Sequence, residues 1–177
     1  MDPEKELQRI CDKNNGELIV EDFRVDGDYG SKIHIVKYRL YIIHNEATIA
    51  IVYDFGNSDT ADFKLQIPTN TTVPDFHISS IDHLTKLVLF KSQNWKIHCK
   101  EPHLKEKIEQ LFKKYKLDQL MQDTAFEPTI KSTTSKETYT IHSIFSLNFE
   151  QNTKSITSII EFHKGLIDMI KEKYHVH

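Results

Sequence analysis

Three residues of this chain have the types and spacing for metal-assisted phosphodiester chemistry. Asp54 closes one run of alternating apolar residues, and Asp62-Phe63-Lys64 lies on the next. In a strand, Phe63 points one way while Asp62 and Lys64 share the other face. Two carboxylates there could hold Mg²⁺, and the lysine could position an attacking water, as in a Mg-dependent nuclease. Glu6, on a preceding helical stretch, would offer a further ligand. A plainer reading competes. The chain has 23 Lys+Arg and 26 Asp+Glu, so an acid-x-lysine arises by chance, and alternating charges mark any solvated strand face.

The 10 histidines are the other source of chemistry. His77 and His83 lie near Asp75 and Asp82, His98 and His103 flank Glu101, and His175 and His177 end the chain. Metal sites draw ligands at recurring short spacings, and neither a zincin pattern nor a finger-like Cys pair is present. These residues read as solvent-facing or capping histidines, and no metal is expected. His163 falls on the apolar stripe of a helical segment and reads as a hydrogen-bonded residue at the core boundary. Cys11 and Cys99 fit two reduced thiols.

Glycine is scarce. The 5 copies sit at turns, at a helix stop or inside a helix, so neither a phosphate cradle nor a nucleophile elbow is available. No cofactor is expected. Gly27-Asp28-Tyr29-Gly30 has the outline of the nucleotide-clamping loop of KH domains, but apolar runs flank it on both sides and its charge is acidic. It reads as a hairpin turn. Tyr38, Tyr41 and Tyr53 fit core or rim packing better than base stacking. Lys105, Lys107, Lys113, Lys114 and Lys116 are balanced by Glu106 and Glu109, as on a solvated helix face.

The elements that must carry these residues follow from periodicity. Residues 4–14 read as a short helix stopped by Asn15-Gly16. Period-two runs then cover 18–25, 33–44, 47–55 and 61–67, joined by short polar turns, which predicts an antiparallel meander with one wet face. Residues 68–75 read as loop, and 78–90 fit helix or strand. Trp95, Ile97 and Cys99 alternate with Lys96, His98 and Lys100 as a strand, and Pro102 opens a helix. The Ser/Thr-rich stretch 129–138 reads as a linker or hairpin tip. Tyr139 to Phe149 is a strand, and 153–172 an amphipathic helix. The expected fold class is α+β: an antiparallel sheet with amphipathic helices packed on one face, one domain over 1–177 with a sub-boundary within 127–138.

The layout resembles a set of uncharacterised bacterial proteins of similar size. The resemblance rests on the helix stop Cys11-Asp12-Lys13-Asn14-Asn15-Gly16, the helix Lys105-Glu106-Lys107-Ile108-Glu109-Gln110-Leu111-Phe112, and the closing strand Ile144 to Phe149 with the helix Ile156 to Ile170. It implies the same α+β layout and assigns no catalytic residue.

Net charge is −3 and only three arginines are present, so nucleic acid is not an expected partner. No secretion signal opens the sequence and no apolar run approaches membrane-spanning length, which leads to an expected cytoplasmic location without a membrane. The function expected is non-enzymatic protein binding, such as an immunity-type protein that neutralises a cognate toxin. Its expected contacts are acids and an aromatic near the hairpin tips: Asp26, Asp28, Tyr29, Asp54 and Asp59. A Mg-dependent nuclease built on Asp54, Asp62 and Lys64 is the alternative.

Overall fold

The computed structural model describes residues 2–26, 30–81, 95–123 and 125–174. Asp28, Tyr29, Asp82, His83, His175 and His177, and most of the ambiguous segment 78–90, lie outside the described residues.

Helix α1 (Pro3–Lys13) starts because Asp2 accepts the Glu4 N–H at 3.1 Å and Pro3 fixes the first turn. It stops where Asn14 Nδ2 donates to the Ile10 carbonyl at 2.6 Å and Asn15 takes a φ of 48°. Four strands follow as a meander: β1 (Glu17–Asp26), β2 (Lys32–His44), β3 (Ala47–Phe55) and β4 (Thr60–Pro68). The β2–β3 reversal is a two-residue turn in which Asn45 and Glu46 both have positive φ, 48° and 62°, matching the right-handed twist of the strands.

Strand β5 (Phe76–Ser80) pairs with β6 (Trp95–Cys99), which leads into α2 (Pro102–Lys114) and the single turn α3 (Leu117–Leu120). Residues 129–138, expected as a linker or hairpin tip, instead form strand β7 (Thr129–Thr134) and the start of β8 (Thr138–Ser146), with only the tip between them. The physical reason is β-branching: Thr129, Ile130, Thr133 and Thr134 suit a pleated surface despite their polarity. Helix α4 (Asn152–Tyr174) closes the described chain.

The eight strands form one sheet in the order β1-β2-β3-β4-β8-β7-β5-β6, with every pairing antiparallel. The chain is therefore an α+β protein, and the helices gather on one face of the sheet. Tyr53, Phe63, Leu65, Tyr139, Ile141 and Phe145 point to that face and meet Phe162, Leu166 and Ile170 of α4 in one continuous core. Phe63 stacks on Phe145 with ring centroids 5.7 Å apart, and Phe112 of α2 meets Phe162 edge-on at 5.4 Å. Among the described residues no helix is long and apolar enough to cross a membrane.

Candidate binding face

Because the helices cover one face, strand parity assigns every other sheet residue to the open face. Phe63 is fully buried on the helical side, so Asp62 and Lys64 stand on the open side, as expected from their spacing. Asp54 shares that side. The three do not converge. Asp54 reaches back toward β2 and pairs with Lys37 at 3.1 Å, while Asp62 reaches the other way to His142 Nε2 of β8 at 2.9 Å. Glu6 is on the opposite side of the sheet, held by Arg9 at 2.6 Å and by the Thr157 hydroxyl of α4 at 2.7 Å. No group of three or more His, Cys, Asp or Glu residues suited to a metal ion occurs among the described residues.

The hairpin-tip acids divide. Asp26 is exposed at the end of β1. Asp54, expected at an accessible tip, is instead buried at 7% exposure. Burial alone would raise its pKa, but the Lys37 ammonium and hydrogen bonds from Asn57 and Ser58 outweigh it and hold the carboxyl below the usual range. Asp59 is half-buried and structural: its Oδ1 accepts the Gly56 N–H at 2.9 Å and its carbonyl accepts the Leu147 N–H at 2.7 Å.

Two arrangements were not expected from sequence. One is a serine–histidine pair inside the core. His163 Nδ1 donates to the Ile159 carbonyl at 2.7 Å, because a carbonyl can only accept, so Nε2 accepts from the Ser143 hydroxyl at 2.8 Å. This is the hydrogen-bond pattern of an activated serine. Ser143 is fully buried and His163 is 1% exposed, so no substrate reaches the oxygen. His163 is thus a core residue and not the boundary residue its stripe position suggested. Burial holds its pKa down to about 4.

The other is a row of basic side chains across the open face. Lys64 of β4 is opposite His142 of β8, His142 opposite Lys131 of β7, Lys131 opposite His77 of β5, and His77 opposite His98 of β6. These residues are spread from 64 to 142 in sequence, and only the strand order brings them into line. The His77 and His98 rings stack with centroids 6.2 Å apart. Burial lowers the pKa of His77, and Lys131, His98 and Lys96 lower it further. Lys64, Lys96, Lys131 and His98 form no ion pair among the described residues. Where the row meets the β6 edge, a cleft of about 590 Å³ is lined by Asp75, His77, His98, Lys100, Lys105 and Lys131.

At the other end of the sheet the open face turns apolar. Ile19, Phe23 and Val25 of β1 and Ile33, Tyr41 and Ile43 of β2 are each at least one-third exposed, Ile43 the most at 77%. β1 is an edge strand, with β2 on one side of it only. Arg39 pairs with Glu21 at 2.8 Å and His34 with Asp22 at 2.6 Å, both within this hairpin.

The fold and this face define an α+β protein with an antiparallel sheet, one face of which no helix covers among the described residues, apolar at one edge and basic toward the other. No protein-family model, no curated protein and no solved structure matches the chain.

Proposed function

We propose that this chain acts by binding another protein and not by catalysis. The observation that carries the reading is the β1–β2 hairpin. A ten-residue edge strand with Ile19, Phe23 and Val25 on one face and Val20 on the other, all more than one-third exposed, is a liability for a protein on its own. A partner polypeptide that adds a strand to β1 would satisfy the outward backbone groups and cover these side chains together. The open face around Asp54 and Asp62 does not favour the nuclease reading, since each carboxylate already has a different side-chain partner, Lys37 for Asp54 and His142 for Asp62.

An immunity-type role is the particular form of this reading, with a cognate toxin as the partner. A cytoplasmic setting accords with the free thiols of Cys11 and Cys99.

The test is crosslinking in native lysate with the parent chain and with Phe23→Lys/Val25→Glu. A stoichiometric partner captured by the parent and lost with the variant supports the proposal. A dimer of the purified chain that the variant splits would make the partner a second copy. Absence of any stoichiometric partner, or one retained by the variant, overturns the reading.

A further inference from the structure

The basic row is a second surface, separate from the β1 edge, and we infer that Lys64, His142, Lys131, His77 and His98 form a track for an acidic polypeptide segment. The inference rests on the reading of the chain as a protein-binding domain and names a chemistry that such a partner would carry.

Three observations support it. First, the geometry is linear: five neighbouring strands spaced about 4.8 Å apart give a row on the order of 19 Å long, enough for several residues of an extended peptide. Second, the positive charge is uncompensated. Basic groups nearer the β1 edge of the open face have acids: Lys37 has Asp54 and Arg39 has Glu21. Within the row only His142 has one, Asp62 at 2.9 Å. Lys64 and Lys131 are exposed and unpaired among the described residues, and His77 Nε2 is buried without a hydrogen-bond partner. A carboxylate laid along the row would relieve that repulsion. Third, the neighbouring registers are hydroxyl-rich. Thr140 and Thr133 run along one side, and Thr129 and Ser79 along the other. These groups donate to carboxylate oxygens.

A carboxylate-bearing chain fits better than a nucleic acid. The row holds no arginine for bidentate phosphate contacts and no Phe, Tyr or Trp on which bases stack. It has only two permanent cations, Lys64 and Lys131, too few for strong counterion-release binding. Its other three members are imidazoles, so an acidic segment is held in a pH-dependent way. His77 faces Lys131 from β7 and His98 and Lys96 from β6, with Asp75 two residues before it. An incoming carboxylate adds the negative charge that stabilises the imidazolium forms, so binding strengthens as pH falls from 8 to 6.

Fluorescence anisotropy with a labelled peptide of ten glutamates tests this on the full chain. The parent should bind saturably at low salt, and several-fold more tightly at pH 6 than at pH 8. Lys64→Glu/Lys131→Glu should weaken binding at least tenfold. Lys107→Glu/Lys113→Glu, with the same change in net charge on α2, should stay within twofold. His77→Gln/His98→Gln should reduce the pH dependence, leaving only the His142 contribution, while circular dichroism shows the fold retained. Absence of saturable binding, or equal loss in the α2 control, overturns the inference. So does tighter binding of a twenty-residue oligothymidine than of the peptide, which would give the row to nucleic acid. Loss of this inference alongside a partner that still depends on Phe23 and Val25 leaves the proposed function standing.

Discussion

The imidazole of His163 lies nearly parallel to the ring of Phe63, at 13° with centroids 4.5 Å apart, where α4 packs on β4. A neutral ring stacks there at no electrostatic cost. A protonated ring would carry a buried charge, and its Nε2–H would meet Ser143, which already directs its own proton inward.

This geometry predicts an acid-sensitive fold. His163 is held down to about 4 in the folded chain, against an ordinary value of about 6.5 when unfolded. Between those values the unfolded state binds the extra proton. The stabilisation is complete above about pH 6.5, falls as pH drops, and is spent near pH 4, a loss on the order of 3 kcal/mol. Glu6, Asp54 and Glu101 also lose stabilising interactions in acid, since partners hold all three below their usual pKa. A difference measurement is therefore needed. His163→Phe/Ser143→Ala keeps the stack and removes the hydroxyl. Its denaturant midpoint should fall less than that of the parent between pH 6.5 and 4. Equal slopes would refute the assignment.

A second prediction concerns Asp54, whose buried carboxylate depends on Lys37 at 3.1 Å. Lys37→Met leaves that charge without its cation and should cost about 2 kcal/mol at pH 7. The sign of the pH dependence then reverses locally. In the parent the Asp54 contribution is present above about pH 4 and is lost below it. In Lys37→Met, burial raises the carboxyl instead, so the deficit relative to the parent should shrink as pH falls from 7 to 5. Asp54→Asn added to Lys37→Met should recover stability at pH 7. Urea titrations at the two pH values check both statements.

The sequence showed the meander because β1 to β4 are consecutive, alternate cleanly and are joined by short turns. It placed Phe63 inward with Asp62 and Lys64 outward for the same reason. It did not show that Asp54 is buried, since the Gly56–Asp59 turn that helps enclose it is held by a non-local bond, Leu147 N–H to the Asp59 carbonyl. Nor did it show the basic row. His77 and His98 read as separate local clusters because sequence neighbours differ from sheet neighbours. Their alignment with Lys131, His142 and Lys64 needs the non-sequential order β4-β8-β7-β5-β6. Threonine and serine hid β7 in the same way, since polarity masked the β-branching.

Ser132 shows what that hidden strand contributes. Its hydroxyl is buried, accepts the Phe76 N–H at 2.7 Å and donates to the Phe76 carbonyl at 3.3 Å. The β5–β7 ladder ends one residue later, at His77 opposite Lys131, so a side chain takes the place of a backbone partner. Ser132→Ala would leave both Phe76 groups without it, at about 2 kcal/mol. Hydrogen exchange should then speed up at the Phe76 amide while the β2–β3 amides stay protected. Unchanged exchange at Phe76 would show that the hydroxyl does not bear on the strand.

The last prediction concerns the crossing of α4 and α2. In the middle of an ordinary helix Gly→Ala stabilises by up to about 1 kcal/mol, because alanine loses less backbone entropy. At Gly165 a Cβ would stand 2.9 Å from Tyr115 Cε2 and 3.1 Å from Leu111 Cδ2, closer than packed carbons approach. Overpacking of this kind costs about 1–3 kcal/mol, so it outweighs the propensity gain. Gly165→Ala should therefore lower the melting temperature by several degrees. In a Tyr115→Ala background the closest contact disappears, and the same substitution should become neutral or stabilising. The double-mutant cycle then gives a coupling of more than about 1 kcal/mol between positions 50 apart in sequence. A Gly165→Ala variant that melts higher than the parent would mean that the two helices do not approach this closely.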